Sequence, residues 1–375
     1  MKILFTGGGT GGHFYPIIAV AEKINELAEK EKVLKTALYF VSDSPYDKQA
    51  LFENDIEYRE VTTGKLRRYF SLKNFSDLFK TFFGVLRAIG ILFVIYPDVV
   101  FSKGGYASFP SVLAARILRI PVVIHESDSV PGRVSLWSAK FAERIAVSYQ
   151  DAVKFFSKEK TAWTGQPIRK ALREPAKEGA YEYLKLDSAV PVIFILGGSS
   201  GAVTINDAVL EILPTLCDNY QIIHQTGKMN FEEVQLRAKF ALENHPYPER
   251  YMPFPFLDPL AMKMSAGAAA LVISRAGSTI FEIASWGTPS IIIPIKREVS
   301  HDQTDNAFAY ARAGACSVVE ETNLTPHVLL QEIDDILLDP EKSKIMAEAA
   351  KVFSRGDAAE TIAREIVNIA LSHEK

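Results

Sequence analysis

The segment Ile3-Leu4-Phe5-Thr6-Gly7-Gly8-Gly9-Thr10-Gly11-Gly12-His13 decides the fold of the first half of the chain. Its apolar start predicts a buried strand over residues 2–6, and the apolar spacing over 15–29 predicts a helix after the glycines. A second segment repeats this order, because the apolar run 190–196 leads into Gly197-Gly198-Ser199-Ser200-Gly201-Ala202 and then into a helical pattern. Two strand–glycine–helix segments predict two α/β domains with doubly wound parallel sheets.

The rest of the chain alternates short apolar runs with helical patterns almost to its end. This alternation is typical of parallel sheets that are covered by helices on both faces. Further strands are predicted over residues 37–42, 99–102, 122–125, 144–147, 221–225, 270–274, 290–294 and 315–319, with helices over 107–118, 204–216 and 280–286. We predict an N-terminal domain over 1–165, a charged linker over 166–189, a C-terminal domain over 190–355 and a final amphipathic helix within 356–375.

Composition and charge exclude several classes of protein. The net charge of −3 over 375 residues argues against a nucleic-acid partner, since such proteins usually carry a basic domain. Two cysteines are too few for a zinc site or a disulfide framework. The first residues show no signal-peptide pattern, and the longest apolar stretch, 82–96, is short and contains Arg87. We therefore expect a cytoplasmic protein without a transmembrane segment.

The first glycine loop formally fits the dinucleotide pattern G-x-G-x-x-G through Gly7, Gly9 and Gly12, which alone is weak evidence for a nucleotide. The alternative is that the glycines only let the strand and the helix pack closely. His13 favours a functional loop, because the positive end of a helix dipole keeps an imidazole neutral and able to act as a general base.

Polar residues in the second half are suited to a nucleotide. The loop 199–201 offers hydroxyls and backbone N–H groups to a phosphate at a helix N-terminus. Arg169 adds a fixed positive charge, or is a solvated linker residue. Glu282 lies one turn into a predicted helix and either accepts hydrogen bonds from a ribose diol or only stabilises that helix. The polar run 301–307 either caps a helix or binds sugar hydroxyls.

No pattern in the sequence indicates a metal. His125 and Glu126 follow a predicted strand, but no further ligand has the spacing of a metal site. The chain also lacks the Asp-x-Asp pair with which many sugar transferases hold a divalent ion. We therefore expect chemistry without a cofactor or metal, in which helix dipoles, hydroxyls and Arg169 stabilise the leaving group.

The segment 64–97 is basic and rich in aromatic residues. We predict that Lys65, Arg68, Phe75, Phe79 and Phe82 contact an anionic membrane surface, as basic amphipathic helices do. The alternative is a helix packed on its own sheet, which we expect for the later part, 85–94.

Seven motifs in this order resemble the MurG family, the peripheral membrane N-acetylglucosaminyltransferases of bacterial peptidoglycan synthesis. The motifs are Gly8-Gly9-Thr10-Gly11-Gly12-His13, Lys103-Gly104-Gly105-Tyr106, His125-Glu126, Gly165-Gln166-Pro167-Ile168-Arg169, Gly197-Gly198-Ser199-Ser200-Gly201-Ala202, Arg275-Ala276-Gly277 through Glu282, and Gln303 with Asn306-Ala307. They span nearly the whole chain.

The resemblance implies a GT-B fold, in which two Rossmann-like domains face each other across a cleft and the C-terminal helix crosses back to the N-terminal domain. It implies transfer of N-acetylglucosamine from UDP-N-acetylglucosamine to the C4 hydroxyl of the N-acetylmuramyl group of undecaprenyl-pyrophosphoryl-MurNAc-pentapeptide (lipid I). The product is lipid II, formed with inversion. It also implies a peripheral enzyme on the cytoplasmic face of the cell membrane. Another lipid-directed transferase of this fold, such as a diacylglycerol glycosyltransferase, and a non-catalytic nucleotide-binding protein are the alternatives.

Site residues follow from the resemblance position by position. The general base is His13, with Glu126 as its rival. Donor-binding residues are Thr10, Gly11, Gly12, Asp128, Arg169, Ser199, Ser200, Gly201, Leu257 (through its backbone), Ser278, Thr279, Glu282, Asp302 and Gln303. Acceptor-binding residues are Gly8, Gly9, His13, Gly104, Gly105 and Tyr106.

Four positions depart from the family pattern. Ser127 and Asp128 stand where the family usually has glutamine and asparagine, Ser200 stands for glutamine, and Gln166 stands for asparagine. All of these replacements stay polar, so they bear on the specificity for the donor sugar more than on the class of reaction.

Overall fold

The chain forms two structural units. In a computed structural model, unit 1 comprises Met1–Arg169 and Asp357–Lys375, and unit 2 comprises Lys170–Gly356. The structure describes residues 1–30, 36–64, 73–197, 201–295 and 301–373, with only the backbone described for 73–76, 301–302 and 373.

Unit 1 is built on a parallel sheet of seven strands in the order β3-β2-β1-β4-β5-β6-β7. The strands are β1 Lys2–Thr6, β2 Ala37–Ser42, β3 Ile56–Glu60, β4 Val99–Ser102, β5 Val122–Glu126, β6 Arg144–Val147 and β7 Thr161–Trp163. Its helices before the chain enters unit 2 are α1 Gly11–Lys30, α2 Lys48–Glu53, α3 Lys73–Ile95, α4 Phe109–Ile117 and α5 Arg133–Ser138. The strand order reverses between β1 and β4, which is where doubly wound sheets bind ligands.

Unit 2 repeats this plan with six parallel strands in the order β10-β9-β8-β11-β12-β13. The strands are β8 Val192–Leu196, β9 Gln221–Gln225, β10 Tyr251–Phe254, β11 Ala269–Ser274, β12 Ser290–Ile292 and β13 Cys316–Val318. The helices are α6 Lys170–Arg173, α7 Ala180–Leu184, α8 Val203–Glu211, α9 Leu213–Asn219, α10 Phe231–Ala241, α11 Pro259–Ala268, α12 Thr279–Trp286, α13 His301–Arg312, α14 Pro326–Leu337 and α15 Pro340–Phe353. Its strand order reverses between β8 and β11.

The last helix, α16 Ala358–His373, belongs to unit 1. Ile362, Ile366 and Ala370 follow one another at helical spacing and are buried in the same core as Ile17 of α1 and Phe101 of β4. The amphipathic pattern predicted this helix, and the burial of its apolar face explains why the chain returns to unit 1.

The predicted linker, 166–189, is wrong as a free connection. Residues 170–189 belong to unit 2, where Ala180 and Leu184 of α7 are buried in its core. Helices α6 and α7 each bury only one or two apolar residues among charged ones, so the sequence of this segment is mostly polar. The prediction also missed β3, β7 and β10. Charged residues interrupt the apolar run of β3, β7 is only three residues long, and β10 contains Pro253, which is unusual in a strand.

Two helices differ from their predicted extent. The predicted helix 204–216 is split into α8 and α9 at Ile212, ahead of Pro214, which cannot donate a helical hydrogen bond. Helix α3 begins well before the apolar stretch recognised in the sequence. Its part Asp77–Ile95 is, by length and composition, long and apolar enough to cross a membrane, contrary to our expectation.

Helix α3 is nevertheless docked on unit 1 along one face. Ala88 and Leu92 are fully buried. A methyl group placed on Gly84 would lie 2.0 Å from the carbonyl oxygen of Thr62, so the backbones touch there. The opposite face is open, with the large apolar side chains Leu78, Phe79, Phe82, Phe83, Leu86, Phe93 and Val94 all exposed. The expectation that 85–94 is simply packed on its sheet therefore holds for only part of the segment.

Candidate functional site

The carboxyl edge of the unit 1 sheet brings the first glycine loop and the segment 103–106 side by side. Thr6 of β1 pairs with Ser102 of β4, and the N–H of Lys103 donates to the carbonyl of Thr6 at 2.9 Å. Gly9 has a φ of 84°, and a methyl group there would lie 3.2 Å from the ring of Tyr106. Only glycine satisfies both the conformation and the contact, so the loop is shaped to lie against Tyr106.

His13 lies in the first turn of α1 at this edge. Its Nδ1 is 3.0 Å from the hydroxyl oxygen of Thr10, and a methyl group on Gly105 would lie 3.8 Å from its Nε2. Burial and then the charge of Lys103 lower the pKa of His13 to about 4. The imidazole is therefore neutral at neutral pH, and when Nδ1–H donates to Thr10 the lone pair of Nε2 is the basic one.

Glu126, the rival base, is committed to its own loop. Its carboxylate oxygens accept hydrogen bonds from the N–H groups of Asp128 at 3.0 Å and Gly132 at 3.1 Å, and Ser135 adds a third. Glu126 is only 5% exposed, and this burial raises the pKa of its carboxyl group. Glu126 therefore contributes to the shape of the loop 126–132, and the choice between His13 and Glu126 as the base stays a prediction.

Asp43 also lies at this edge, although no role in a sugar site was predicted for it. It follows β2 and accepts hydrogen bonds from Ser42 at 3.3 Å, from Thr63 at 3.2 Å and from the hydroxyl of Tyr106. Burial and this carboxylate raise the pKa of Tyr106 to about 12, so Tyr106 stays a phenol and a hydrogen-bond donor. The only signal in the sequence is that Asp43 follows directly on a predicted strand.

Lys103 is the second residue that sequence reasoning left without a role. It is 1% exposed and donates from Nζ to the hydroxyl of Ser127. Ser127 in turn donates to the side-chain carbonyl of Gln166 at 3.1 Å, and Ser148 donates to the same oxygen at 2.7 Å. A buried polar network thus joins the ends of β4, β5 and β6 beneath the loop.

Arg169 is the last residue of unit 1 and is not a solvated linker residue. Its guanidinium carbon lies 3.6 Å from the centre of the Tyr15 ring, which is a cation–π contact. The Tyr15 hydroxyl is 3.4 Å from the carboxylate of Asp47. This stacking fixes Arg169 against the first turns of α1.

The carboxyl edge of unit 2 is arranged in the same way. Leu196 of β8 pairs with Ser274 of β11, so the end of β8 lies at the same edge as the turn before α12. Gly201 has a φ of 76°, and a methyl group there would lie 2.4 Å from the carbonyl oxygen of Thr226. The predicted phosphate residues Ser199 and Ser200 lie outside the described residues.

The other predicted donor residues of unit 2 fall at this edge or next to it. Ser278 precedes α12, Thr279 begins it, and Glu282 is half-buried in its first turn. The N–H of Leu257 already donates to Gln225 at 3.0 Å, so a contact with uracil would use its carbonyl. Gln303 accepts from the N–H of Ile295 at 3.2 Å.

Some predicted site residues lie outside the described residues or have only their backbone described. Asp302 begins α13, but only its backbone is described, and the same holds for Phe75 in α3. Lys65 and Arg68 lie outside the described residues altogether. Within the described ranges, no three His, Cys, Asp or Glu side chains come together to hold a metal ion. Whether the reaction needs a metal stays a prediction.

Solved structures with the same architecture define the class of fold. The MurG of Acinetobacter baumannii superposes with a TM-score of 0.72 at 23% identity, covering 98% of this chain and 99% of that one. A putative UDP-N-acetylglucosamine 2-epimerase from Listeria monocytogenes reaches 0.69 at 16% identity, covering 96% and 94%. The fold is therefore GT-B, and since an epimerase shares it, the fold alone does not decide the reaction.

Sequence comparison decides the family. Residues 3–147 match the glycosyltransferase family 28 N-terminal domain, and residues 192–362 match the family 28 C-terminal domain. A relative from Clostridium novyi (strain NT) is 36% identical over 345 residues, which is 91% of this chain and 92% of the relative. That relative is a UDP-N-acetylglucosamine--N-acetylmuramyl-(pentapeptide) pyrophosphoryl-undecaprenol N-acetylglucosamine transferase. The chain belongs to the family 28 glycosyltransferases and, within them, to the MurG family.

Proposed function

We propose that the protein transfers N-acetylglucosamine from UDP-N-acetylglucosamine to the C4 hydroxyl of the N-acetylmuramyl group of lipid I, forming lipid II. The observation that carries this proposal is the 36% identity to a transferase of that name over nine-tenths of both chains. The positions of His13, Tyr106 and Glu282 at the carboxyl edges of their sheets support it. The match favours this acceptor over the diacylglycerol of the alternative.

His13 acts as the base in this proposal. Its Nε2 takes the proton of the acceptor C4 hydroxyl while that oxygen bonds to the anomeric carbon of N-acetylglucosamine. The bond from that carbon to the UDP oxygen breaks on the opposite face, so one displacement gives inversion. A pKa of about 4 keeps His13 unprotonated before the step, and Thr10 can accept the Nδ1–H of the imidazolium that forms.

The donor is held mainly by unit 2. Glu282 accepts hydrogen bonds from the ribose hydroxyls, and the backbone N–H groups at the start of α8 and α12 face the diphosphate. Gly201 lets the chain turn into α8 at that point. Charge that develops on the leaving UDP is stabilised by these helix N-termini, without a metal ion.

The acceptor is held by unit 1. Gly8 and Gly9 present backbone N–H groups to its pyrophosphate. Gly104 and Gly105 both have positive φ values, and Gly105 lets the chain pass close to His13. The hydroxyl of Tyr106 stays protonated and donates a hydrogen bond.

The open face of α3 supports the part of the proposal that unit 1 lies on the membrane that carries this lipid acceptor. Phe79, Phe82 and Phe83 share that face, and the exposed cations Lys80 and Arg87 lie on the same helix. A basic helix with one apolar face lies in the interface of an anionic bilayer. The buried contacts of Ala88 and Leu92 keep α3 on unit 1, which favours a peripheral enzyme on the cytoplasmic face over a spanning helix.

A panel of donors and acceptors tests the reaction. Purified protein is incubated with UDP-N-acetylglucosamine, UDP-glucose or UDP-galactose and with a lipid I analogue or diacylglycerol, and the products are identified by mass spectrometry. We expect a single β-1,4-linked product from UDP-N-acetylglucosamine and the lipid I analogue. Glycosylated diacylglycerol instead would establish the alternative function. Loss of turnover with a chelator and its recovery with a divalent ion would disprove the metal-free mechanism.

A further inference from the structure

The segment that follows β3 lies directly on the backbone of α3. A methyl group on Gly64 would overlap the backbone of Asp77. A methyl group on Gly84 would overlap the carbonyl oxygen of Thr62. The N–H of Gly64 also donates to the hydroxyl oxygen of Thr81 at 3.1 Å, and that hydroxyl donates to the carbonyl of Asp77 at 2.8 Å. Two close backbone approaches and a hydrogen bond therefore fix this segment to the helix that carries the open apolar face.

Thr63 lies between these two points of contact and bonds to the opposite side. Its hydroxyl donates to Oδ2 of Asp43 at 3.2 Å. The other carboxylate oxygen, Oδ1, accepts from the hydroxyl of Ser42 at 3.3 Å. A methyl group on Gly8 would lie 3.7 Å from Oδ1 of Asp43 and 3.5 Å from Cβ of Ala107. The carboxylate of Asp43 is therefore bonded to Thr63 on one side and lies against the first glycine loop on the other.

Tyr106 completes this series of contacts at the glycine loop. A methyl group on Gly9 would lie 3.2 Å from the ring of Tyr106 and 3.3 Å from its hydroxyl oxygen. That hydroxyl donates to Asp43, so a single carboxylate accepts from both Thr63 and Tyr106. Hydrogen bonds to a charged group are stronger than those between neutral groups, so the position of the phenol depends on the position of Asp43.

The bonds through Thr63 and Asp43, which we call the Thr63–Asp43 link, thus connect α3 with Tyr106 inside unit 1. A helix that lies in a lipid interface loses motion, and the groups that are bonded to it lose motion as well. Less ordering then remains to be done when a ligand binds, so the two binding events favour each other. The link provides the physical contacts that such a coupling needs.

We propose that Thr63 and Asp43 are positioning residues that hold Tyr106 to α3, so that contact of α3 with an anionic lipid surface tightens binding of the acceptor head group. This rests on the proposed function, in which Tyr106 contacts the acceptor and α3 lies on the membrane. The consequence is an enzyme that works best on the surface where its lipid acceptor lies and less well away from it.

Kinetics with a lipid I analogue test the link, if the lipid chain of the analogue is too short to enter vesicles. Phosphatidylglycerol vesicles without acceptor should lower the KM of the wild type for this analogue about 5-fold, at the low end of the range for coupled sites. Thr63→Val removes the hydroxyl but keeps the shape, so its KM should stay high with and without vesicles. Thr63→Ser keeps the hydroxyl and should respond as the wild type does. The matched control is Thr361→Val, at an exposed position of α16, which should also respond. All four proteins should bind the vesicles equally in sedimentation.

Hydrogen–deuterium exchange over residues 6–13 and 103–108 measures the link without any reaction. Vesicles should slow this exchange in the wild type and in Thr63→Ser but not in Thr63→Val. The link is overturned if the wild type does not bind the vesicles, if they leave its exchange unchanged, or if the two Thr63 variants respond equally. An active wild type whose KM ignores the vesicles would overturn the effect on acceptor binding. A wild type that is inactive with every lipid I analogue, but whose exchange slows only when the Thr63 hydroxyl is present, would instead reject the proposed function and retain the link.

Discussion

The open face of α3 leads to a prediction whose size follows from exposed area. Phe79, Phe82 and Phe83 are 51%, 57% and 61% exposed. A phenylalanine offers about 200 Å² for burial, so each ring has about 100 Å² left to place in lipid. At about 25 cal/mol per Å², three rings contribute about 7 kcal/mol if fully inserted and about 4 kcal/mol if half inserted. Replacing all three with serine should therefore weaken membrane binding by about 10³-fold at half insertion.

The assay is sedimentation with vesicles of anionic phosphatidylglycerol, with neutral phosphatidylcholine vesicles and a salt series beside it. Binding of the wild type should fall as salt screens Lys80 and Arg87. The matched control replaces the exposed Leu236 and Phe240 of unit 2 with serine and should bind as the wild type does. Because the α3 rings are on the surface, the triple variant should keep its melting temperature.

Two results would refute this reasoning. Unchanged vesicle binding by the folded triple variant would show that the open face of α3 does not enter lipid. Retention of the wild type in membranes after washing with alkaline carbonate would show that the span Asp77–Ile95 crosses the bilayer instead of lying in its interface.

Three further predictions concern the two units. His13→Gln should lower kcat about 10² to 10⁴-fold. Because the pKa of His13 is about 4, the kcat of the wild type should not fall as the pH is lowered through 6.5. A fall in kcat near pH 6.5 would contradict the assignment of His13 as the base. Gly201→Ala forces a methyl group to within 2.4 Å of a carbonyl oxygen and should weaken UDP binding at least about 10-fold by calorimetry, whereas Gly90→Ala, which faces open space, should not. Ile366→Ala should lower the free energy of unfolding of unit 1 by about 2–5 kcal/mol in urea. The control is Asn368→Ala, at an exposed position of the same helix. An unchanged midpoint of urea unfolding in the Ile366 variant would mean that α16 is not part of that core.

The sequence predicted the central strands well, because the runs 3–5 of β1, 99–101 of β4 and 192–196 of β8 are apolar and buried throughout. It failed at the sheet edges. Strand β3 reads Ile-Glu-Tyr-Arg-Glu, with one buried residue at its start, so neither an apolar run nor a regular alternation marks it. An apolar pattern in a sequence marks residues that are buried. Strands at the edge of a sheet are the least buried, so this pattern marks them least clearly.

Within the site, residues next to a glycine loop were predictable and residues linked by strand pairing were not. His13 follows the loop in sequence, so its place at a helix start could be predicted. The hydrogen bonds from Lys103 to Ser127 and from Ser127 to Gln166 exist only because β4 and the strands that follow it are neighbours in the sheet. The backbone partners of Glu126 could not be predicted either, since they depend on the shape of a turn. A solvated Arg169 was one of two alternatives, because no residue near it in the sequence indicates that it stacks on Tyr15.

The return of α16 to unit 1 sets the order in which a growing chain can complete its folding. Residues 170–356 leave the ribosome before α16 does, so the whole of unit 2 is available for folding first. Unit 1, although synthesised first, lacks Ile362, Ile366 and Ala370 until translation is almost finished. Until then the apolar surface of α1 that they cover is open to water and to chaperones. A stop codon shortly before residue 357 would release a chain with an intact unit 2 and an incomplete unit 1.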